Sequence, residues 1–223
     1  VIFAGENGVG KSTILNALYE LITQKLNFEA NIEYEFGERT INLKFYWKEY
    51  SQGQRYLTIQ DDTGRETMAG ISEAQNKYLQ HGIFSDVDIN FQSNNLTSVT
   101  SLTLDGKSES RRSSNNLPTE IKQLIIDIQA LDDADVSYWV KTHPHTSTDN
   151  IDIHERMPRF TGAFDRMFDD LKYSRVENMD GHKAILFEKN GKLIQIDALS
   201  SGEKQIVYRG CFLLKDANAM NGA

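Results

Sequence analysis

The chain has 223 residues with 24 Lys and Arg against 32 Asp and Glu, a net charge of -8, and 39% hydrophobic residues. The acidic balance excludes a protein that coats nucleic acid indiscriminately, though it leaves room for a local basic face. The lone cysteine, Cys211, excludes an intrachain disulfide and a cysteine-built metal site and suits a reducing cytoplasm, and no apolar run approaches the roughly 18 residues needed to span a bilayer.

In chain order, Val1 to Ala4 reads as a short buried strand, and because the sequence starts inside it and not at Met, it reads as a piece of a longer protein. A glycine-rich turn follows. Ser12 to Leu26 is expected to be helical, with Ile14, Leu15, Leu18, Leu21 and Ile22 forming the apolar face. In TINLKFYWK, Ile41, Leu43, Phe45 and Trp47 alternate as one face of a half-buried strand. RYLTIQ should pair with it across Ser51-Gln52-Gly53. Ser72 to Gln80 reads as a short helix, and DVDINF alternates again through Val87, Ile89 and Phe91.

Residues 92–117 are rich in Ser and Asn and read as a long mobile loop. Its Lys107, Arg111 and Arg112 are either a solvated set or a contact for nucleic acid or a partner. Pro118-Thr119-Glu120 begins a helix carrying Ile121, Leu124, Ile125, Ile128 and Leu131. THPHTSTDN is a loop, and its His143 and His145 lack the carboxylate support of a metal site. Phe160, Phe164, Met167, Phe168 and Leu171 make a second amphipathic helix. KAILFEKNGKLIQID is a hairpin turning on Asn190-Gly191. Cys211 reads as a small buried residue.

Two stretches carry chemistry. GENGVGKS, Gly5 to Ser12, fits the pattern G-x-x-x-x-G-K-[ST] in full. Its glycines let successive backbone N–H groups curl around an anion, and the helix that follows points its positive end at the same place. Lys11 then reaches the β- and γ-phosphates of a nucleotide, and the Ser12 hydroxyl ligates Mg²⁺. The expected phosphate-binding set is Gly5, Glu6, Asn7, Gly8, Val9, Gly10, Lys11, Ser12 and Thr13, with Lys11 as the catalytic cation. Far downstream, LSSGE (Leu199 to Glu203) is either an ordinary capped helix start or a second anion site built from Ser200, Ser201, Gly202 and Glu203. Two phosphate sites some 190 positions apart suggest one nucleotide gripped by two subunits.

GENGVGKST followed late by LSSGEKQ resembles the ATP-binding-cassette ATPases of the soluble SMC, Rad50 and RecF branch. Asn7 fits that group's P-loop, and Ser200 and Gly202 match the signature residues that face the γ-phosphate held by the opposite protomer. The middle of the chain, about Asp86 to Glu203, is similar to ATPase subunits of bacterial anti-phage systems of the Septu and retron-associated kinds. The resemblance implies an α/β fold: a P-loop ATPase core with an antiparallel β-subdomain and a helical insertion, C-terminally incomplete. It implies one domain over residues 1–223: a P-loop strand and helix (1–30), a β-rich part (31–91), a polar loop and helical insertion (92–172), and a hairpin with the signature helix (173–223). The expected cofactors are ATP and Mg²⁺. Gln92 matches the glutamine that would join Ser12 at the metal, the alternative being a surface glutamine. The implied activity is ATP hydrolysis by the full-length protein, with ATP-dependent homodimerisation as a switch and a nuclease as partner. Direct contact with DNA or an RNA–DNA hybrid stays open, and no membrane is involved. The family's Asp-Glu strand has no counterpart before Ala223. The alternatives are a DNA-repair or chromosome-maintenance ATPase and a scaffold that binds ATP without hydrolysing it.

Overall fold

Alternation of large apolar and polar residues in the longest strand organises the first half of the chain. The computed structural model describes residues 11–22, 29–36, 39–51, 54–68, 83–85, 90–102, 104–105, 111–146, 153 and 155–217. These form helices and antiparallel sheets, a mixed α/β chain. They fall into two units, one comprising residues 1–84, 108–111 and 222–223 and the other residues 85–107 and 112–221.

In the first unit, α1 spans Lys11–Ile22 and precedes four strands: β1 (Ala30–Phe36), β2 (Arg39–Ser51), β3 (Gln54–Gln60) and β4 (Glu66–Met68). They make a sheet in the order β1-β2-β3-β4, antiparallel throughout. The expected pairing of RYLTIQ with TINLKFYWK is present, with Phe45 opposite Ile59 and Trp47 opposite Leu57. Leu43, Phe45, Leu57 and Ile59 are buried, as period-2 alternation on one face requires. On β2, Tyr46 and Lys48 both donate to the Glu66 carboxylate of β4. A short strand, β5 (Ile83–Phe84), follows. Among the described side chains of α1, however, the buried one is Tyr19, which packs on Phe84 at 5.3 Å between ring centroids, while Ile14, Leu15 and Leu18 are exposed. Helical spacing marks a stripe that could be covered but does not supply the cover. The expected strand Val1–Ala4 and helix Ser72–Gln80 lie outside the described residues.

The second unit begins with an extended stretch and the short strand β6 (Arg111–Arg112), which straddles the boundary. Then come α2 (Leu117–Thr142), α3 (Pro158–Met167), β7 (Leu171–Met179), β8 (His182–Lys189), β9 (Lys192–Gln195), a 3-10 turn (Ile196–Ala198) and α4 (Ser201–Leu214). The strands form one antiparallel sheet, β7-β8-β9. Both of its turns hold left-handed backbone: Asp180 (φ 48°) with Gly181 (φ 78°), and Asn190 (φ 50°) with Gly191 (φ 72°). That is the two-residue hairpin geometry favoured by Asp-Gly and Asn-Gly. Leu171, expected to end a helix, instead opens β7.

The core of this unit is Leu117, Ile121, Ile125 and Ile128 of α2, Phe160 and Phe164 of α3, Ile185 and Phe187 of β8, and Val207, Tyr208 and Cys211 of α4. Phe187 sits between Phe164 (6.0 Å) and an edge-on Tyr173 (5.9 Å). The Tyr173 hydroxyl donates to Gln129 Oε1 at 2.7 Å, and burial, followed by the nearby Asp133 and Asp132 carboxylates, pushes its ionisation up.

Asn90–Leu102 has no regular structure, but it is fastened, contrary to the mobile loop its composition suggests. Thr100 donates to both oxygens of Asp127, through its N–H at 2.8 Å and its hydroxyl at 2.6 Å. Lys183 N donates to Leu96 O at 2.7 Å, Asn94 N to Thr119 Oγ1 at 3.1 Å, and Gln123 Nε2 to Ser98 O at 3.1 Å. The Thr100 side chain, one of those that signal a loop, supplies one of these fastenings, and the backbone of the stretch supplies the others.

Phe187→Ala should destabilise the second unit by about 3–5 kcal/mol, the usual cost of emptying a buried aromatic site. Urea denaturation followed by Trp139 fluorescence in a Trp47→Phe background checks this, and a change below about 1 kcal/mol contradicts the packing described.

Candidate functional site

The two motif-bearing helices belong to different units, α1 to the first and α4 to the second. Lys11 is the first residue of α1 and is half-buried; Ser12 and Thr13 follow it and are exposed. The first turn of α1 contains no acidic residue. An anion at a helix N-terminus is stabilised by the N–H groups there and by the helix dipole. Gly5, Glu6, Asn7, Gly8, Val9 and Gly10 lie outside the described residues.

At α4 the local chemistry is a reciprocal cap. Ser200 is the N-cap, with extended backbone (φ -62°, ψ 160°). Its hydroxyl oxygen accepts from Glu203 N at 3.4 Å, and Glu203 Oε2 accepts from Ser200 N at 2.8 Å. The other Glu203 oxygen receives the Lys189 ammonium from the end of β8. Lys189, with further help from the Ser200 backbone N–H, holds the Glu203 carboxyl below its ordinary 4.5 against the opposing effect of partial burial. Glu203 in turn raises Lys189 above 10.5. Both Glu203 oxygens are therefore engaged within the chain. Ser201 and Gly202 are exposed, and a Cβ at Gly202 would meet nothing within 4 Å.

The far end of α4 is also held. Arg159 grips Asp105 through two nitrogens (3.0 and 2.6 Å), and one of them donates to the carbonyls of Leu214 and Lys215 at 3.3 Å. A cation there opposes the negative end of the helix.

Gln92 is exposed, and its N–H donates to Asn90 Oδ1 at 3.1 Å. Asn90–Gln92 is not a strand, and Asp86–Ile89 lies outside the described residues, so the expected DVDINF strand is not seen over the described part. Gln92 lies in the second unit and Ser12 in the first. Its neighbours fasten to the segment around α4: Phe91 stacks with Tyr208 at 6.4 Å, and Ser93 Oγ donates to Asp197 Oδ1 at 2.9 Å. His143 stacks on Trp139 at 4.6 Å, and among the described residues no group of three His, Cys, Asp or Glu could hold a metal ion. Cys211 is buried, and burial pushes its thiol up. Arg112 is exposed, and Lys107 lies outside the described residues.

The capping box at Ser200 and Glu203 was legible in S-x-x-E spacing. Lys189, Arg159 and Lys122 were not, since their partners lie 14 or more positions away along the chain.

No protein-family model matches the chain, and no curated protein matches it.

Ser200→Ala should cost the second unit about 1 kcal/mol in urea denaturation by Trp139 fluorescence, the typical worth of an N-cap. Because Glu203 is depressed on folding, its contribution is present above pH 4.5 and lost as pH falls through its lower folded value. The stability gap between wild type and Lys189→Met should therefore narrow as pH falls below 4.5, in the same assay repeated across pH. A gap that widens contradicts the ion pair.

Proposed function

We propose that the chain is an ATP-binding ATPase subunit that uses nucleotide-dependent dimerisation as a switch. The observation that carries the reading is GENGVGKST, a full phosphate-cradle pattern whose Lys11-Ser12 opens a helix with an acid-free first turn. The residues fit Mg-ATP: Lys11 as the cation for the phosphates and the exposed Ser12 hydroxyl as a metal ligand. Bound Mg-ATP supplies the transferable γ-phosphoryl group, with Mg²⁺ offsetting its charge. Lys11 orients the phosphates by charge-assisted hydrogen bonds. In a two-fold dimer, Ser200, Ser201 and Gly202 of one protomer would close on the nucleotide of the other. The proposed fold is a P-loop ATPase core, and the proposed setting, from the family resemblance alone, is an anti-phage complex that controls a nuclease.

A second reading is that LSSGE is only a capped helix start. The closed Ser200–Glu203 box favours it, because both side chains already have work inside their own chain.

Lys11→Ala should abolish tight binding of a fluorescent ATP analogue; equal affinity in mutant and wild type would remove the site assignment. Ser200→Arg separates the two readings of the signature. It should leave ATP binding to each protomer intact and prevent Mg-ATP-driven dimerisation, read by light scattering under non-hydrolysing conditions. Wild-type-like dimers in Ser200→Arg favour the capped-helix reading.

A further inference from the structure

A charged side chain is buried at the entrance to the signature helix. Lys122 of α2 is only 3% exposed. Its ammonium donates to Asp197 Oδ2 at 2.8 Å and to Ser93 Oγ at 3.1 Å. Ser93 in turn donates to Asp197 Oδ1 at 2.9 Å, so the three groups close a ring of hydrogen bonds. Asp197 is the middle residue of the 3-10 turn, three positions before Ser200. Its neighbours Ile196 and Leu199 are buried at 1% and 4% exposure. The segment feeding LSSGE is thus pinned by apolar groups on either side and, between them, by an ion pair whose ammonium is buried while its carboxylate stays 44% exposed.

A buried ammonium with one carboxylate partner is a poor source of net stability, since desolvation offsets most of the Coulombic gain. What such a pair does well is choose one geometry, because its alternatives leave a charge unmatched. Here the selected geometry is the path of the chain into Ser200, whose backbone must be extended for the cap to close.

We propose that Lys122 is a positioning residue for the signature: through Asp197 and Ser93 it sets the presentation of Ser200 and Gly202 to the nucleotide of a second copy of this chain. This rests on the ATP-dependent dimer proposed above. Lys122 touches neither ATP nor the partner; it acts through the turn.

The test uses the full chain with Mg-ATP under non-hydrolysing conditions, comparing wild type with Lys122→Met. The variant should bind ATP as a protomer within about twofold of wild type yet dimerise about tenfold more weakly, the size expected when coupling through a network is cut. Hydrogen exchange should quicken over residues 196–204 and stay unchanged over 207–214, a local effect that general destabilisation would not produce. Asp197→Asn keeps the acceptor shape and removes the charge, and should weaken dimerisation in the same direction. If Lys122→Met does not fold, Asp197→Asn decides the matter. Wild-type dimerisation in the folded variants overturns the proposal. So does loss of protomer ATP binding in step with dimerisation, which would give Lys122 a role at the nucleotide itself. A wild-type chain that shows no ATP-driven dimer overturns the function proposed above, and this inference with it.

Discussion

The extended stretch, the turn before α4 and the start of α3 are tied to α2 by three charges buried along it. Lys122, Asp127 and Asp132 recur every five residues, and at about 100° per residue each step turns about 140° around the axis. The three therefore face different directions. Lys122 holds the turn before α4, Asp127 holds Thr100 of the extended stretch, and Asp132 receives the backbone N–H groups of Arg156 and Met157 at the start of α3. Arg156 adds its guanidinium to Asp132 and Asp135, which hold it above its ordinary value. Hydrophobic contact between Ile121, Ile125 and Ile128 and the sheet sets how close the elements lie, but it is non-directional. The buried charges set which loop residue goes where, because each unmet partner would be costly.

The same logic orders the two helices that carry the motifs. At α1, what is described is a first turn without acid and an apolar stripe at Ile14, Leu15 and Leu18 left exposed. At α4, the start is engaged by Lys189 and the end by Arg159, so the helix is fixed at both termini before any ligand is considered. A helix with a pre-set direction loses little freedom on engaging any partner, which is the advantage of preorganisation.

Much of the fold was legible in the sequence. Alternation in β2 and β3, the Asn190-Gly191 turn, and the apolar stripe of α2 are local patterns with local physics, and they match the described elements. β7 escaped because LKYSRVENM is largely polar, its outer positions facing solvent; Asp180-Gly181 was the signal that announced it. The fastening of residues 90–102 escaped for a different reason. Ser, Thr and Asn advertise a loop whether their side chains bond to water or to a distant helix, and the partners Asp127 and Asp197 lie 27 and 104 positions away. For the candidate site, the cap at Ser200 was readable from spacing. The ion pairs that aim it were not, since no short-range pattern links Lys122 to Asp197 or Lys189 to Glu203.

The burial of Cys211 gives the chain a thermometer of its own. It is the only thiol in 223 residues and sits fully enclosed on α4, with its ionisation suppressed by that enclosure. A thiol reagent can reach it only in the fraction of time that α4 lifts from its seat. The labelling rate, set against that of a free thiol, therefore converts directly into the free energy of that opening. Any event that grips the helix from outside would then be visible as a slower clock.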